Sequence, residues 1–189
     1  MCENTLSSAP LSATTKPSEL ANAPRAYAIG ENAGEIASHL FPGHEVIECD
    51  NLPEEPAQRL LLNCCLQYLT YGAGLAALQT AGALVLPGGE LHVIVPSADW
   101  AVRELMKPEP SPAAEFILYG KQWREDEVYH SGWTIPRLRT FISRCGFIVR
   151  EARALDAAWT LRGPDGQERE EPIRLNYVVG VKANVSDRE

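Results

Sequence analysis

The stretch that most constrains this chain reads Leu84-Val-Leu-Pro-Gly-Gly-Glu-Leu-His-Val-Ile-Val-Pro96. Upstream of it, Leu75, Leu78, Ala81 and Val85 recur at helical spacing, which predicts a helix over 75–86 stopped by Pro87-Gly88-Gly89. Downstream, Glu90–Val95 is a strand cut off by Pro96. The chain thus passes from helix to strand through a tight glycine turn, and glycine suits such a turn because it accepts positive φ at little cost.

The same alternation recurs on either side. Arg25–Ile29 is a short apolar run ending at Gly30, followed by a helix pattern over 31–41 that stops at Pro42-Gly43. His44–Cys49 and Arg59–Cys64 are further strands, the latter too continuously apolar for a surface strand and suited to a sheet covered on both faces. Asp99–Met106 reads as a helix, 107–112 as a proline-rich loop, and Thr134–Arg144 as a helix with Thr134 as its N-cap. Gly146–Val149 opens another strand. Trp159–Arg162 and Ile173–Val181 flank the turn Gly163-Pro-Asp-Gly166 and read as a hairpin. The expected fold is α/β: a Rossmann-like open sheet, mostly parallel with a C-terminal antiparallel hairpin, and helices on both faces. Residues 1–24, rich in Ser, Thr, Ala and Pro, read as a flexible leader; 25–182 form one domain and 183–189 a tail.

Composition narrows the partners. The 189 residues carry a net charge of −8, which disfavours indiscriminate binding to nucleic acid or anionic lipid. The charge is uneven: residues 1–60 hold three bases against nine acids, whereas 121–153 hold seven bases against four acids, read as a solvated helix surface. No apolar run approaches the ~18 residues of a membrane helix. Five scattered cysteines with no CxxC pair suggest reduced thiols in a cytoplasmic protein and no metal site. Cys64 and Cys65 read as buried thiols and His92 as a core histidine.

Several segments, in this order, resemble the class I S-adenosylmethionine-dependent methyltransferases. Leu62-Asn-Cys-Cys-Leu-Gln-Tyr-Leu69 is similar to that family's fourth strand and following turn, and residues 84–96 to the signature around its fifth strand. Tyr129-His-Ser-Gly-Trp-Thr134 resembles a loop of a polar-substrate subgroup, and Leu138–Phe147 the next helix and strand start. The resemblance covers about residues 59–150. It implies a cofactor, S-adenosylmethionine, held by the loop after strand one, here Ile29-Gly-Glu-Asn-Ala-Gly-Glu35, with Gly30 and Gly34 present and Asn32 where a second glycine would stand.

The resemblance also implies a carboxylate near the end of strand two that binds the ribose hydroxyls, since a carboxylate can accept both hydrogen bonds. Asp50 lies 20 residues after Gly30, with Glu48 nearby. Cys49–Pro53 also resembles the segment after strand three, so Asp50 follows either strand. Length bears on this, because a βα unit takes roughly 25 residues and the run to strand five needs about 105. Arg25–Val95 offers 71, so one unit is missing or collapsed between Asp50 and Arg59.

On the acceptor side, His130 is the candidate general base or positioning group, since histidine changes charge near neutral pH. Tyr68, Tyr119 and Trp133 are candidate substrate contacts, with Tyr71, Lys121 and Trp123 as further candidates for the pocket. Methyl transfer needs alignment and water exclusion more than covalent help from the protein, so the absence of a readable triad is compatible with it. The implied activity is methylation of a polar small molecule or sugar-like acceptor. The alternative is a degenerate methyltransferase fold serving as a binding or partner subunit. Either allows a homo- or hetero-oligomer.

Overall fold

A computed structural model describes residues 24–120, 128–162 and 167–183. The leader, Lys121, Trp123 and the turn 163–166 lie outside the described residues. Six strands form one sheet: β1 (Arg25–Gly30), β2 (Glu45–Cys49), β3 (Ala57–Asn63), β4 (Val85–Pro96), β5 (Phe147–Arg162) and β6 (Glu168–Lys182). Their order is β2-β1-β3-β4-β6-β5. The first four are parallel and β6 pairs antiparallel with both β4 and β5. The expected mostly parallel sheet with its antiparallel hairpin is therefore present.

Alternation along the strands divides the core in two. Ala26, Ala28 and Leu61 face α1 (Ala33–Leu40), α3 (Ala98–Leu105) and α4 (Ala113–Tyr119). Tyr27, Ile29, Leu60 and Leu62 face α2 (Tyr71–Leu84) and α5 (Ile135–Arg144). Because β1 hands the chain to α1 on one face and β3 hands it to α2 on the other, strand order reverses between these two neighbours. Open α/β sheets bind ligands at the carboxyl ends on either side of such a reversal.

Three sequence expectations need correction. The helix before β4 begins at Tyr71, earlier than the apolar spacing indicated, where the Thr70 hydroxyl accepts from the Ala73 N–H at 3.3 Å. It is rich in small residues because it packs closely: a Cβ on Gly74 would lie 3.0 Å from Trp133, and one on Gly82 would lie 3.1 Å from Phe147. The helix stops at Leu84, capped by the Lys182 ammonium, which donates to the carbonyls of Gly82 and Val85 at 2.6 Å each.

Pro87-Gly88-Gly89 consequently does not stop the helix but lies inside β4. Val85 pairs with Ala57 and Glu90 with Arg59, so residues 86–89 bulge out opposite Gln58. Gly88 has φ +73°, and a Cβ on Gly89 would meet the Gln58 carbonyl at 2.7 Å. The strand opened at Gly146 and the one expected over 159–162 are a single 16-residue strand, β5. Helix α4, which follows the proline-rich loop, carried no readable signal. The expected missing unit has a direct counterpart: residues 50–56 alone connect β2 to β3.

Candidate functional site

At the carboxyl ends of β1 and β2, Ile29, Gly30, Glu48, Cys49, Asp50 and Cys65 line a cleft of about 300 Å³. That volume is at the lower end of the range for small-molecule sites. Gly30 and Asn63 are register partners where β1 meets β3, beside the point of strand-order reversal. Gly30 has φ +113°, and no side chain fits there, since its Cβ would lie 1.7 Å from the Asn63 carbonyl oxygen.

The loop after β1 resolves the doubtful glycine. Asn32 has φ 49° and ψ 26°, the left-handed conformation that asparagine tolerates better than most residues. A backbone shape associated with glycine is therefore present without it. The amide of Asn63 holds this loop, its Nδ2 donating to the Glu31 carbonyl at 2.5 Å. Gly34 lies in the first turn of α1, where a Cβ would meet only the end of the Glu48 side chain, at 2.7 Å from Oε2.

Asp50 follows the strand that pairs directly with β1, which settles its position as the end of the second strand. Its carboxylate is exposed, as is that of Glu48, and both line the cleft. They can accept hydrogen bonds from a diol. Nearby thiols are held protonated: burial pushes Cys65 up to about 12 and Cys64 higher still. Neither of these two thiols is therefore available beside the cleft as a thiolate nucleophile.

A second group of residues converges from β3 and the loop before α5. Tyr68, in the 3₁₀ turn Leu66–Tyr68, puts its hydroxyl 3.5 Å from Glu31 Oε1 and its ring edge-on to Tyr129 at 5.0 Å. Burial, with the Glu31 charge adding to it, raises Tyr68 to about 12 and raises Tyr129 further. The loop 129–134 is fastened to this turn. The amides of His130 and Ser131 donate to the Gln67 carbonyl, and the Ser131 hydroxyl donates to the Leu69 carbonyl at 2.7 Å. Tyr71 adds a bond from its hydroxyl to the Gly132 carbonyl at 2.5 Å.

The sequence candidates are thus sorted by position. Gly30, Asp50 and Tyr68 gather at the carboxyl ends of β1–β3, and His130 is exposed on the loop anchored to the Tyr68 turn. Tyr119 ends α4 with its side chain 55 % exposed. Trp133 is fully buried against Tyr71 and Phe141, so it packs the α2–α5 face and presents no surface to a ligand. His92 is a core residue as expected, bonded to Tyr177 and Glu90. Sequence reasoning missed Glu31 and Asn63; Asn63 is the last residue of a buried strand, a position where a polar side chain is itself a signal.

No protein-family model matches the chain, and no curated protein matches it. Among solved structures, a Bacillus halodurans protein assigned to the methyltransferases is similar over 85 % of this chain and 92 % of its own, at 12 % identity and a TM-score of 0.57. A SAM-dependent methyltransferase from Methanosarcina mazei matches over 85 % of this chain and 82 % of its own, at 13 % identity and 0.48. Burkholderia thailandensis 1,6-didemethyltoxoflavin-N1-methyltransferase, which holds that substrate and S-adenosylhomocysteine, matches over 84 % and 61 % at 16 % identity and 0.46. The first of these carries the comparison, and at such identity it speaks for architecture. With the strand order, the reversal beside Gly30 and the C-terminal hairpin, it establishes that the chain is built on the class I methyltransferase fold.

Proposed function

We propose that residues 25–182 form a single cytoplasmic S-adenosylmethionine-dependent methyltransferase domain acting on a polar small molecule or sugar-like acceptor. The observation that carries this reading is the cleft beside Gly30 and Asp50, with Asn32 in the left-handed conformation at its rim. The residues suit the cofactor: Asp50 and Glu48 would hold the ribose hydroxyls, Ile29 and Cys65 supply apolar wall, and the loop from Gly30 to Gly34 brings backbone close. When bound, S-adenosylmethionine supplies a methyl group already activated for transfer. The chain's part is then to orient and to exclude water, which agrees with thiols and phenols kept neutral by burial. His130, Tyr68 and Glu31 form a polar rim suited to a hydroxyl-bearing acceptor. Titration calorimetry tests the reading: saturable 1:1 binding of S-adenosylhomocysteine supports it, and no heat at millimolar ligand with folded protein overturns it.

One observation favours a second reading, a degenerate fold acting as a partner subunit. With residues 50–56 leading straight from β2 to β3, the sheet ends at β2, whose residues are at most half-buried. An open edge is a template for pairing. This reading predicts an oligomer in sedimentation together with failure to bind S-adenosylhomocysteine.

A further inference from the structure

On the α1 face lies a second cavity, about 180 Å³, between that helix and the β5–β6 hairpin. Its walls include Ile36 and Leu40 of α1, Ile94 of β4, and Leu155, Ala157 and Leu175 of the hairpin. A dry apolar cavity of roughly 150 Å³ is enough to hold benzene. Space and wall chemistry therefore suit one or two fused rings.

One polar group in the wall is unfinished. Asn63 is fully buried, and it shares the α1 face with Leu61 because side chains two apart along a strand point the same way. Its Nδ2 donates to the Glu31 carbonyl, which can only accept, so the amide orientation is fixed and the other atom is Oδ1. Among the described residues Oδ1 has no hydrogen-bond partner. Other polar side chains of the wall are engaged: the Tyr177 hydroxyl with His92 at 2.7 Å, Arg153 with Glu151 at 2.5 Å, and His39 Nδ1 with the Glu35 carbonyl at 2.9 Å. Buried acceptors are ordinarily satisfied, so an unpaired one in an apolar wall specifies what the cavity should take.

We propose that the cavity between α1 and the β5–β6 hairpin binds a small, largely apolar ring compound that donates one N–H or O–H hydrogen bond to Asn63 Oδ1. The site is separate from the cleft at Gly30 and Asp50 and does not depend on the cofactor reading; a chain that ignores S-adenosylhomocysteine would still take the ring compound.

Indole and indene, near-isosteres of which only indole has an N–H, form the test. Each is titrated into the full chain with binding followed by backbone amide NMR. Saturable indole binding at least tenfold tighter than indene, with shifts centred on 36–40 and 155–158, is the expected result. Asn63→Leu should bring the two ligands within about twofold of each other, and Ala157→Phe should abolish binding of both. Equal affinities for the wild-type chain, shifts centred elsewhere, or no saturation at millimolar indole would overturn the proposal, whatever the variants do.

Discussion

A Cβ on Gly30 would sit 1.7 Å from the backbone carbonyl oxygen of Asn63, its register partner across the two strands between which the sheet changes direction. Backbone against backbone cannot yield as a side chain can, and φ +113° adds strain for any L-residue. Gly30→Ala is therefore expected to cost about 3 kcal/mol or more. Gly34→Ala meets only the flexible end of Glu48 and gains helix propensity, so its effect should stay within about 1 kcal/mol. Urea unfolding of the two variants side by side measures the contrast.

The carboxylates of the cleft are exposed and play little part in packing, so Asp50→Asn should leave the melting temperature unchanged while weakening S-adenosylhomocysteine. A lost hydrogen bond to a charged group corresponds to roughly a 10- to 100-fold fall in affinity. Calorimetry on Asp50→Asn and Glu48→Gln shows which carboxylate carries the diol.

Neutral His92 is fully bonded: Nε2–H donates to Glu90, which only accepts, and Nδ1 accepts from the Tyr177 hydroxyl. Burial holds its pKa below the ordinary 6.5 despite the Glu90 carboxylate. The unfolded chain then binds the proton more readily, so stability falls as pH drops from about 6.5 toward the lowered value. Glu90 behaves differently. Burial pushes its pKa up, but hydrogen bonds from His92 and Arg150 and the charge of Arg59 outweigh this and hold it low. Its contribution is present above the ordinary carboxylate pKa and is lost on stronger acidification. Thermal melts from pH 2 to 8 should show both slopes, and His92→Gln should flatten the one just below pH 6.5.

Ser131→Ala removes the hydroxyl that satisfies the Leu69 carbonyl and fastens the His130 loop. Leaving this half-buried acceptor unpaired should cost about 1 kcal/mol. Faster hydrogen exchange should appear at the amides of His130 and Ser131, with those of β4 unaffected.

Burial that raises the Cys64 thiol should also make it inert. Iodoacetamide at pH 8 is expected to leave Cys64 unmodified in the folded chain and to label it in denaturant, as read by peptide mass.

The strands of the parallel half were legible because a buried strand is a continuous apolar run, and Leu60, Leu61 and Leu62 leave no other reading. The shortened link after Asp50 was legible from length alone. Helix α2 was legible only in part, because Gly74 makes room for Trp133 and, with the exposed Gly72, depresses the helical signal where the helix begins. Pro87-Gly88-Gly89 misled for a related reason: the residues that stop a helix are also those that allow a strand to bulge. Trp133 resisted assignment because a large aromatic in a loop motif looks alike whether it faces a ligand or fills a notch. Asn32 shows the converse, since the loop requires an angle that two different residues can supply.

The position of β6 has a consequence for the order in which the sheet can close. β4, with Leu91, Val93 and Val95 fully buried, is flanked by β3 on one side and β6 on the other. Of the six strands, β6 is synthesised last. Until it arrives, β4 leaves the ribosome with one edge bare and its apolar side chains exposed to other chains. A chain interrupted before residue 175 would keep the residues of the cleft at Gly30 and Asp50 yet lack the strand that seals the centre, and aggregation during synthesis would then be governed by strand pairing rather than by that cleft.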